Sequence, residues 1–177
     1  MRKITLAALA LASSAALVGV TAVPAFAATD DTTTTVTVAA GVLSITVPAT
    51  ATLSTVLPGE TSTAPLEATV VTDARAGTVN WTATVILPAL TGNTPLVNRT
   101  IPTSGATYMA NAATLTGSPT LAVLSLKTDL STAAQTSQAT TAVSGNNSAS
   151  WTATLTVPIP PQVLAGTYTG LMTQSVS

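Results

Sequence analysis

The side chains that most enzymes use for catalysis are scarce in this chain. Its 177 residues contain no histidine and no cysteine, which excludes a His-based triad, a cysteine nucleophile and a metal site of the His/Cys kind. Ser125 and Lys127 lie two positions apart on a predicted strand, but a solvated lysine beside Asp129 explains them better than a Ser–Lys catalytic pair. We therefore predict no catalytic residue, no cofactor and no metal.

Glycoside hydrolysis is the remaining chemistry to weigh, because it needs two paired carboxylates. The candidate carboxylates are Glu60, Glu67, Asp73 and Asp129. Exported hydrolases normally line a cleft with aromatic side chains, and after residue 27 this chain has only Trp81, Tyr108, Trp151 and Tyr168. An extracellular hydrolase is therefore the least favoured function.

Asp73 and Arg75 form an acid–base pair whose spacing favours contact. Residues two apart on an extended backbone share a face, and an Asp can also fasten a turn by accepting backbone N–H groups. We expect the pair on an exposed surface loop, where such a pair contributes only about 0.2–1 kcal/mol. Stabilising the loop is the favoured role, and contact with a ligand or partner is the alternative.

The N-terminus has the pattern of a cleavable secretion signal. Arg2 and Lys3 precede an apolar stretch rich in Ala and Leu, and Ala25 and Ala27 place small residues where an A-x-A cleavage site requires them. We predict a signal-peptide helix over residues 1–27, a disordered lead-in over 28–34 and a single domain over 35–177. No second long apolar stretch follows, so we expect a secreted, extracellular product without a transmembrane segment.

Few charges remain once the predicted signal is removed. Three cations (Arg75, Arg99 and Lys127) then stand against six carboxylates, a net charge of −3. Three scattered cations cannot neutralise a phosphate backbone, which argues against a nucleic acid as partner. With Thr, Ser and Ala rather than Glu and Lys at the polar and small positions, the composition favours β-strands over amphipathic helices.

Strand-length runs separated by turn signals indicate an all-β fold of about eight to ten short strands. The predicted strands are 35–39, 42–47, 53–57, 65–72, 79–87, 121–126, 149–157 and 167–176, with 139–143 as a further candidate and short edge strands near 97–101 and 107–109. This spacing is typical of a two-sheet, Greek-key-like antiparallel β-sandwich.

Two of these strands carry the same motif. Trp81-Thr-Ala-Thr-Val85 recurs as Trp151-Thr-Ala-Thr-Leu155. Period-two alternation places each Trp on the same face as the apolar residues that follow it. We expect both on the inner faces of central strands, although Trp81, Trp151 and Tyr168 could instead form a binding platform.

The stretch from Val71 to Ala83 resembles the first signature of the WxL-type cell-surface domain of Gram-positive bacteria. In that signature an Asp-x-Arg, here Asp73 and Arg75, precedes a Trp on a strand, here Trp81. Ala83 stands where the family's motif has Leu.

The region from Trp151 to Gly170 is similar to the second half of that family, in which a proline-bounded strand leads through a turn to a terminal strand. The last residues, Met172 to Ser177, lack the family's second Trp-x-Leu. The resemblance implies a domain that associates non-covalently with peptidoglycan and with companion surface proteins.

Two functions from different classes follow. The first is a non-catalytic, cell-wall-associated binding or assembly module whose partner is peptidoglycan or a companion surface protein. The second is a structural subunit that forms homo-oligomers through strand edges, which few charges guard in this chain.

Overall fold

The computed structural model describes residues 30–92, 99–121 and 127–177. The chain divides into two units, Met1–Thr37 and Val38–Ser177, and the fold described below is that of the second. The predicted signal-peptide helix lies outside the described residues, as do Ala25 and Ala27. Within the described ranges no helix is long and apolar enough to cross a membrane.

The described part of Val38–Ser177 is all-β, as the composition predicts. In chain order the strands are β1 (Leu43–Thr46), β2 (Thr61–Asp73), β3 (Thr82–Ile86), β4 (Leu90–Gly92), β5 (Thr100–Ile101), β6 (Thr107–Ala110), β7 (Thr114–Thr116), β8 (Thr120–Leu121), β9 (Lys127–Asp129), β10 (Gln135–Thr141), β11 (Asn147–Pro158), β12 (Tyr168–Thr169) and β13 (Thr173–Val176). They form two main antiparallel sheets, a β-sandwich, and a small third sheet in the order β12-β4-β5.

The larger sheet is built around two long strands. Its order is β1-β2-β11-β6-β9, and β7 pairs with the end of β11 that β6 leaves free. β2 and β11 pair antiparallel from Asn147 opposite Asp73 to Pro158 opposite Thr61, with a bulge near Trp151.

β2 runs through Pro65, although the sequence predicts that the strand begins there. Proline lacks an N–H and is tolerated only where a strand edge is unpaired. β1 pairs only with residues Val70 to Asp73 of β2. Pro65 lies beyond that part of β2 and is paired with β11 alone, so its missing N–H can be accommodated on the other edge. The strand can therefore start four residues earlier, at Thr61.

The second sheet has the order β13-β3-β10-β8 and contains the first tryptophan motif. Trp81 stands immediately before β3 and is 1% exposed, while Trp151 in β11 is 2% exposed. The alternate residues that follow each Trp are buried as predicted: Ala83, Val85 and Leu87 in one case and Ala153, Leu155 and Val157 in the other. One copy of the motif thus fills the core from each sheet.

Several segments differ from the sequence-based expectation. The terminal strand predicted over 167–176 is two short strands, β12 and β13, which belong to different sheets. Thr107–Met109, predicted as an edge strand, belongs to β6 and lies between β11 and β9, so Tyr108 is fully buried. Residues 35–39 and 53–57 have strand-like sequences but form no strand. The predicted strand 121–126 is described only at its first residue, which lies in β8.

Candidate functional site

The predicted Asp73–Arg75 pair forms at the end of β2. Arg75 Nε donates to Asp73 Oδ1 at 2.9 Å and Arg75 Nη2 donates to Asp73 Oδ2 at 3.0 Å, a bidentate ion pair. The backbone N–H of Arg75 also donates to Asp73 Oδ1, and Nη2 donates to the carbonyl of Val79. The carboxylate and the guanidinium together fasten the loop that leads to Trp81.

The expectation that this pair lies on an exposed surface loop is wrong for Asp73. Asp73 is the last residue of β2 and is only 2% exposed, whereas the Arg75 side chain is 28% exposed. The alternation of β2 turns residue 73 toward the core, in phase with Val71. The hydrogen bonds from Arg75 outweigh the effect of burial and lower the pKa of Asp73.

Asn147 connects this ion pair to the core tryptophan. Its Nδ2 donates to Asp73 Oδ2 at 3.3 Å, and its Oδ1 accepts from Trp81 Nε1 at 3.0 Å. Asn147 is 5% exposed at the start of β11. One continuous polar network therefore runs from the half-exposed Arg75 through Asp73 and Asn147 to Trp81.

The sequence indicates Asn147 only as the end of a turn. Nothing in its local pattern predicts a partner 74 residues away. The chemistry of tryptophan does give a signal, because a buried indole N–H requires an acceptor. A polar residue such as Asn147, at the start of a strand in the same core, can supply that acceptor.

Two loops meet beside this network and are hydrogen-bonded to each other. Gly145 N donates to the carbonyl of Gly77, and Val143 N donates to Asn80 Oδ1. Among the described residues, the non-glycine residues with positive φ are Ala76 and Ala142, both at 54°. Each lies in one of the two loops. Strained backbone of this kind costs about 1–3 kcal/mol per residue and is concentrated at functional sites.

The arrangement presents one fixed cation at the surface. The contacts of Arg75 with described residues use Nε and Nη2, and Nη1 has no hydrogen-bond partner among them. An arginine that is already fixed by a carboxylate loses little side-chain entropy when it binds a second oxygen ligand. Arg75 can therefore offer two N–H donors to a carboxylate, an amide carbonyl or a sugar oxygen.

The tryptophans do not form an exposed platform, since both side chains are buried. Trp151 Nε1 donates to Tyr108 Oη at 3.0 Å, and Tyr108 Oη donates to Gln174 Oε1 at 3.3 Å. Burial raises the pKa of Tyr108. Tyr168 is only half-buried and donates from its hydroxyl to the carbonyl of Leu164 at 2.7 Å.

Tyr168 also lines a second surface feature, a slot of about 730 Å³. Its two walls are Pro48–Pro58 and Val163–Met172, and every residue of both segments lines the space. The floor consists of buried apolar side chains: Leu66, Leu87, Leu90, Ile101 and Leu155. No charged residue is found among the described residues that line it.

The other residues weighed for catalysis are spread over the molecule. Lys127 is exposed on β9 opposite Met109 of β6, and Ser125 lies outside the described residues. Glu67 and Asp129 are exposed, and Glu60 Oε2 accepts from Leu57 N to close a turn. The paired carboxylate in the described structure is that of Asp73, and its partner is a cation.

Comparison of the chain with models of protein families, with curated proteins and with solved structures finds no match.

Proposed function

We propose that this protein is a secreted, non-catalytic module of the bacterial cell surface. It attaches non-covalently to peptidoglycan or to a companion surface protein, and it makes this contact through the Asp73–Arg75 loop. The observation that carries the proposal is the network in which buried Asp73 and Asn147 hold the guanidinium of Arg75 in one place at the surface.

The loop has the properties expected of a binding site rather than of a passive connection. Its cation is positioned before any ligand arrives, which reduces the entropy lost on binding. Its backbone includes a left-handed alanine, Ala76, and it is tied to the neighbouring turn through Gly145. Val79 in the same loop is 65% exposed, so an apolar surface lies near the cation in sequence.

The chemistry of Arg75 favours particular groups on the partner. A guanidinium with two available N–H donors binds carboxylate and carbonyl oxygens. The peptides of peptidoglycan and the surfaces of proteins both present such groups. A surface with few cations gives little general attraction for anionic polymers, so recognition depends on this one site.

The sequence supports the location and the partner class. The signal-like N-terminus favours export, and the chain has neither histidine nor cysteine for the common catalytic mechanisms. The resemblance of Asp73, Arg75 and Trp81 to the WxL signature favours attachment to the cell wall. In the structure these same three residues belong to one hydrogen-bonded network, which supports the proposal that they form a single site.

The direct test is co-sedimentation with purified Gram-positive cell walls, with and without the extracted surface proteins. We expect the protein in the pellet, and we expect Arg75→Ala to move it to the supernatant. Arg75→Lys keeps the charge but not the bidentate pair with Asp73, and should also bind less well.

Lys127→Ala is the matched control, since it removes one exposed cation far along the chain from the loop. Circular dichroism must show that each variant is folded. Protein that stays in the supernatant under both conditions, or equal loss of binding in the Arg75 and Lys127 variants, would overturn the proposal.

A further inference from the structure

The side chain of Arg99 crosses the third sheet toward the slot. Gly92 of β4 pairs with Tyr168 of β12 on one side, and Gly92 N donates to the carbonyl of Arg99 on the other. A Cβ added at Gly92 would lie 3.0 Å from Arg99 Cδ and 3.3 Å from Tyr168 Cε1. Because Gly92 has no side chain, the Arg99 stem and the Tyr168 ring both lie above it.

The guanidinium of Arg99 ends at Gly166, a residue of the second wall. Arg99 Nη1 occupies the space that a side chain at Gly166 would need, and Arg99 Cζ lies 3.3 Å from the position of an added Cβ. Gly166 and Tyr168 both line the slot. The positive charge of Arg99 therefore lies against the wall of a slot whose described lining carries no charge of its own.

This guanidinium lacks a counter-ion among the described residues. Arg99 is half-buried, and its Nε is a buried donor with no hydrogen-bond partner in the described part of the chain. The carboxylate that the described structure pairs with an arginine is that of Asp73, which binds Arg75. A buried charged group without a partner is costly and calls for an explanation. An anion beside Gly166 would supply the missing charge.

The rest of the slot suits an apolar chain. Its volume of about 730 Å³ is within the range typical of ligand sites, and its floor is aliphatic. Three leucines that line it are also exposed: Leu57 at 69%, Leu164 at 46% and Leu171 at 78%. Large apolar side chains exposed around one cavity are typical of a binding site.

We infer that the slot binds a single acyl chain that carries an anionic head group. The chain lies over the aliphatic floor and removes apolar surface from water. The carboxylate or phosphate of the head lies beside Gly166, where it pairs with the Arg99 guanidinium. This inference is independent of the Arg75 site.

An acyl chain suits the floor better than a peptide does. Each residue of a peptide brings an N–H and a C=O that need partners when they are buried. The side chains of the floor offer none: Leu66, Leu87, Leu90, Ile101 and Leu155. An acyl chain brings no polar group except its head, and an anionic head matches the sign of the charge at Gly166.

Isothermal titration calorimetry with dodecanoate, below its micellar concentration, tests the inference. The protein is expressed from the full-length gene, so that any processing of its N-terminus takes place. We expect saturable binding of one dodecanoate per chain. Decanoate is shorter by two methylene groups and should bind about sixteenfold more weakly, because each methylene contributes a factor of about four.

Dodecyltrimethylammonium separates the role of the head group from that of the chain. It has a similar chain and the opposite charge, so it should bind at least about tenfold more weakly than dodecanoate. Equal affinities for the two amphiphiles, or no binding of dodecanoate, would overturn the inference.

Arg99→Gln removes the charge and should weaken dodecanoate binding about tenfold. The same variant should bind dodecyltrimethylammonium no more weakly than the parent does, an outcome that a collapsed slot would not give. Lys127→Gln is the matched control, because it removes an exposed cation on β9 and should leave both affinities unchanged. An Arg99→Gln variant that binds dodecanoate as tightly as the parent would refute the role of the cation.

Leu171→Asp tests the slot without touching Arg99. It adds a negative charge to a slot residue, whereas Val79→Asp adds one to a residue that is 65% exposed and does not line the slot. We expect only Leu171→Asp to abolish dodecanoate binding. Equal effects of the two substitutions would place the ligand elsewhere and contradict the inference.

Lysophosphatidylglycerol distinguishes the two sources of such a ligand. It carries a phosphate on a single acyl chain, so tighter binding than dodecanoate indicates a membrane lipid, and weaker binding indicates a free fatty acid. Either order supports the inference. An apolar peptide with a terminal carboxylate that binds when both amphiphiles fail would overturn it in favour of a protein partner.

Discussion

Trp81 donates its indole N–H to Oδ1 of Asn147 at 3.0 Å, although the two residues are 66 positions apart. Trp81 immediately precedes β3 of the second sheet, and Asn147 begins β11, the central strand of the larger sheet. The bond therefore joins the two layers of the sandwich at the end where the Arg75 loop lies. The amide of Asn147 continues to Asp73, so the core and the surface loop depend on the same side chain.

Asn147→Ala should destabilise the protein by about 2–3 kcal/mol, because it leaves the indole N–H of Trp81 and one oxygen of Asp73 without this buried partner. The midpoint of urea unfolding measures the loss. Asn146→Ala changes the exposed neighbouring residue and should stay within about 0.5 kcal/mol of the parent. Equal midpoints for the two variants would show that the network contributes no stability.

Asp73→Asn should lower the free energy of unfolding by about 1–3 kcal/mol at neutral pH, because it removes the charged carboxylate that accepts hydrogen bonds from Arg75. The folded-state pKa of Asp73 is lowered from 3.8. The stabilisation is therefore complete above the unfolded pKa, near 4, and is lost as the pH falls through the lower folded value.

The difference in unfolding free energy between the parent and Asp73→Asn should thus narrow below about pH 4. Urea titrations at several pH values measure it. Asp129→Asn is the control for an exposed carboxylate. A difference that does not change with pH would mean that the charge of Asp73 is not what stabilises the loop.

Gly117→Ala tests how tightly the turn before Asn147 is held. Gly117 has a φ of +84°, and an added Cβ would lie 2.5 Å from the carbonyl oxygen of Asn146. Gly145→Ala is a matched control, because its φ is +72° but nothing lies within 4 Å of the added atom. We expect about 1–2 kcal/mol for Gly145→Ala from the left-handed backbone alone.

The clash should make Gly117→Ala measurably more destabilising than Gly145→Ala in the same urea assay. It should also weaken wall binding, because it displaces the turn that holds Asn147. Equal stabilities would show that this turn moves freely and does not position the loop.

The sequence predicts well whatever depends on local alternation. Trp81 and Trp151 could be placed in the core because period-two burial follows from strand geometry alone. The charge partner of Asp73 is two residues away and could also be predicted. The burial of Asp73 could not be predicted, because it depends on β2 continuing to residue 73, and pairing with β11 determines where β2 ends.

Contacts between residues that are distant in sequence are the part of the structure that the sequence alone does not predict. Residues 35–39 and 53–57 have strand propensity, yet a strand forms only where a neighbour supplies hydrogen bonds. Tyr108 lies in a short run between turn signals, and only the packing of β6 between β11 and β9 makes it central. Asn147 acquires its role in the same way, from contacts distant in sequence.

Trp151→Ala should cost about 3–5 kcal/mol, comparable to the whole stability of many single domains, because it removes a large side chain that is 2% exposed. Trp151→Phe separates packing from hydrogen bonding. It retains an aromatic ring and removes the donor to Tyr108, whose hydroxyl keeps its bond to Gln174. We therefore expect a smaller loss, about 1–2 kcal/mol. Urea unfolding followed by circular dichroism measures both variants without relying on tryptophan emission. An unchanged midpoint for Trp151→Ala would mean that the face of β11 carrying this residue is not buried in the core.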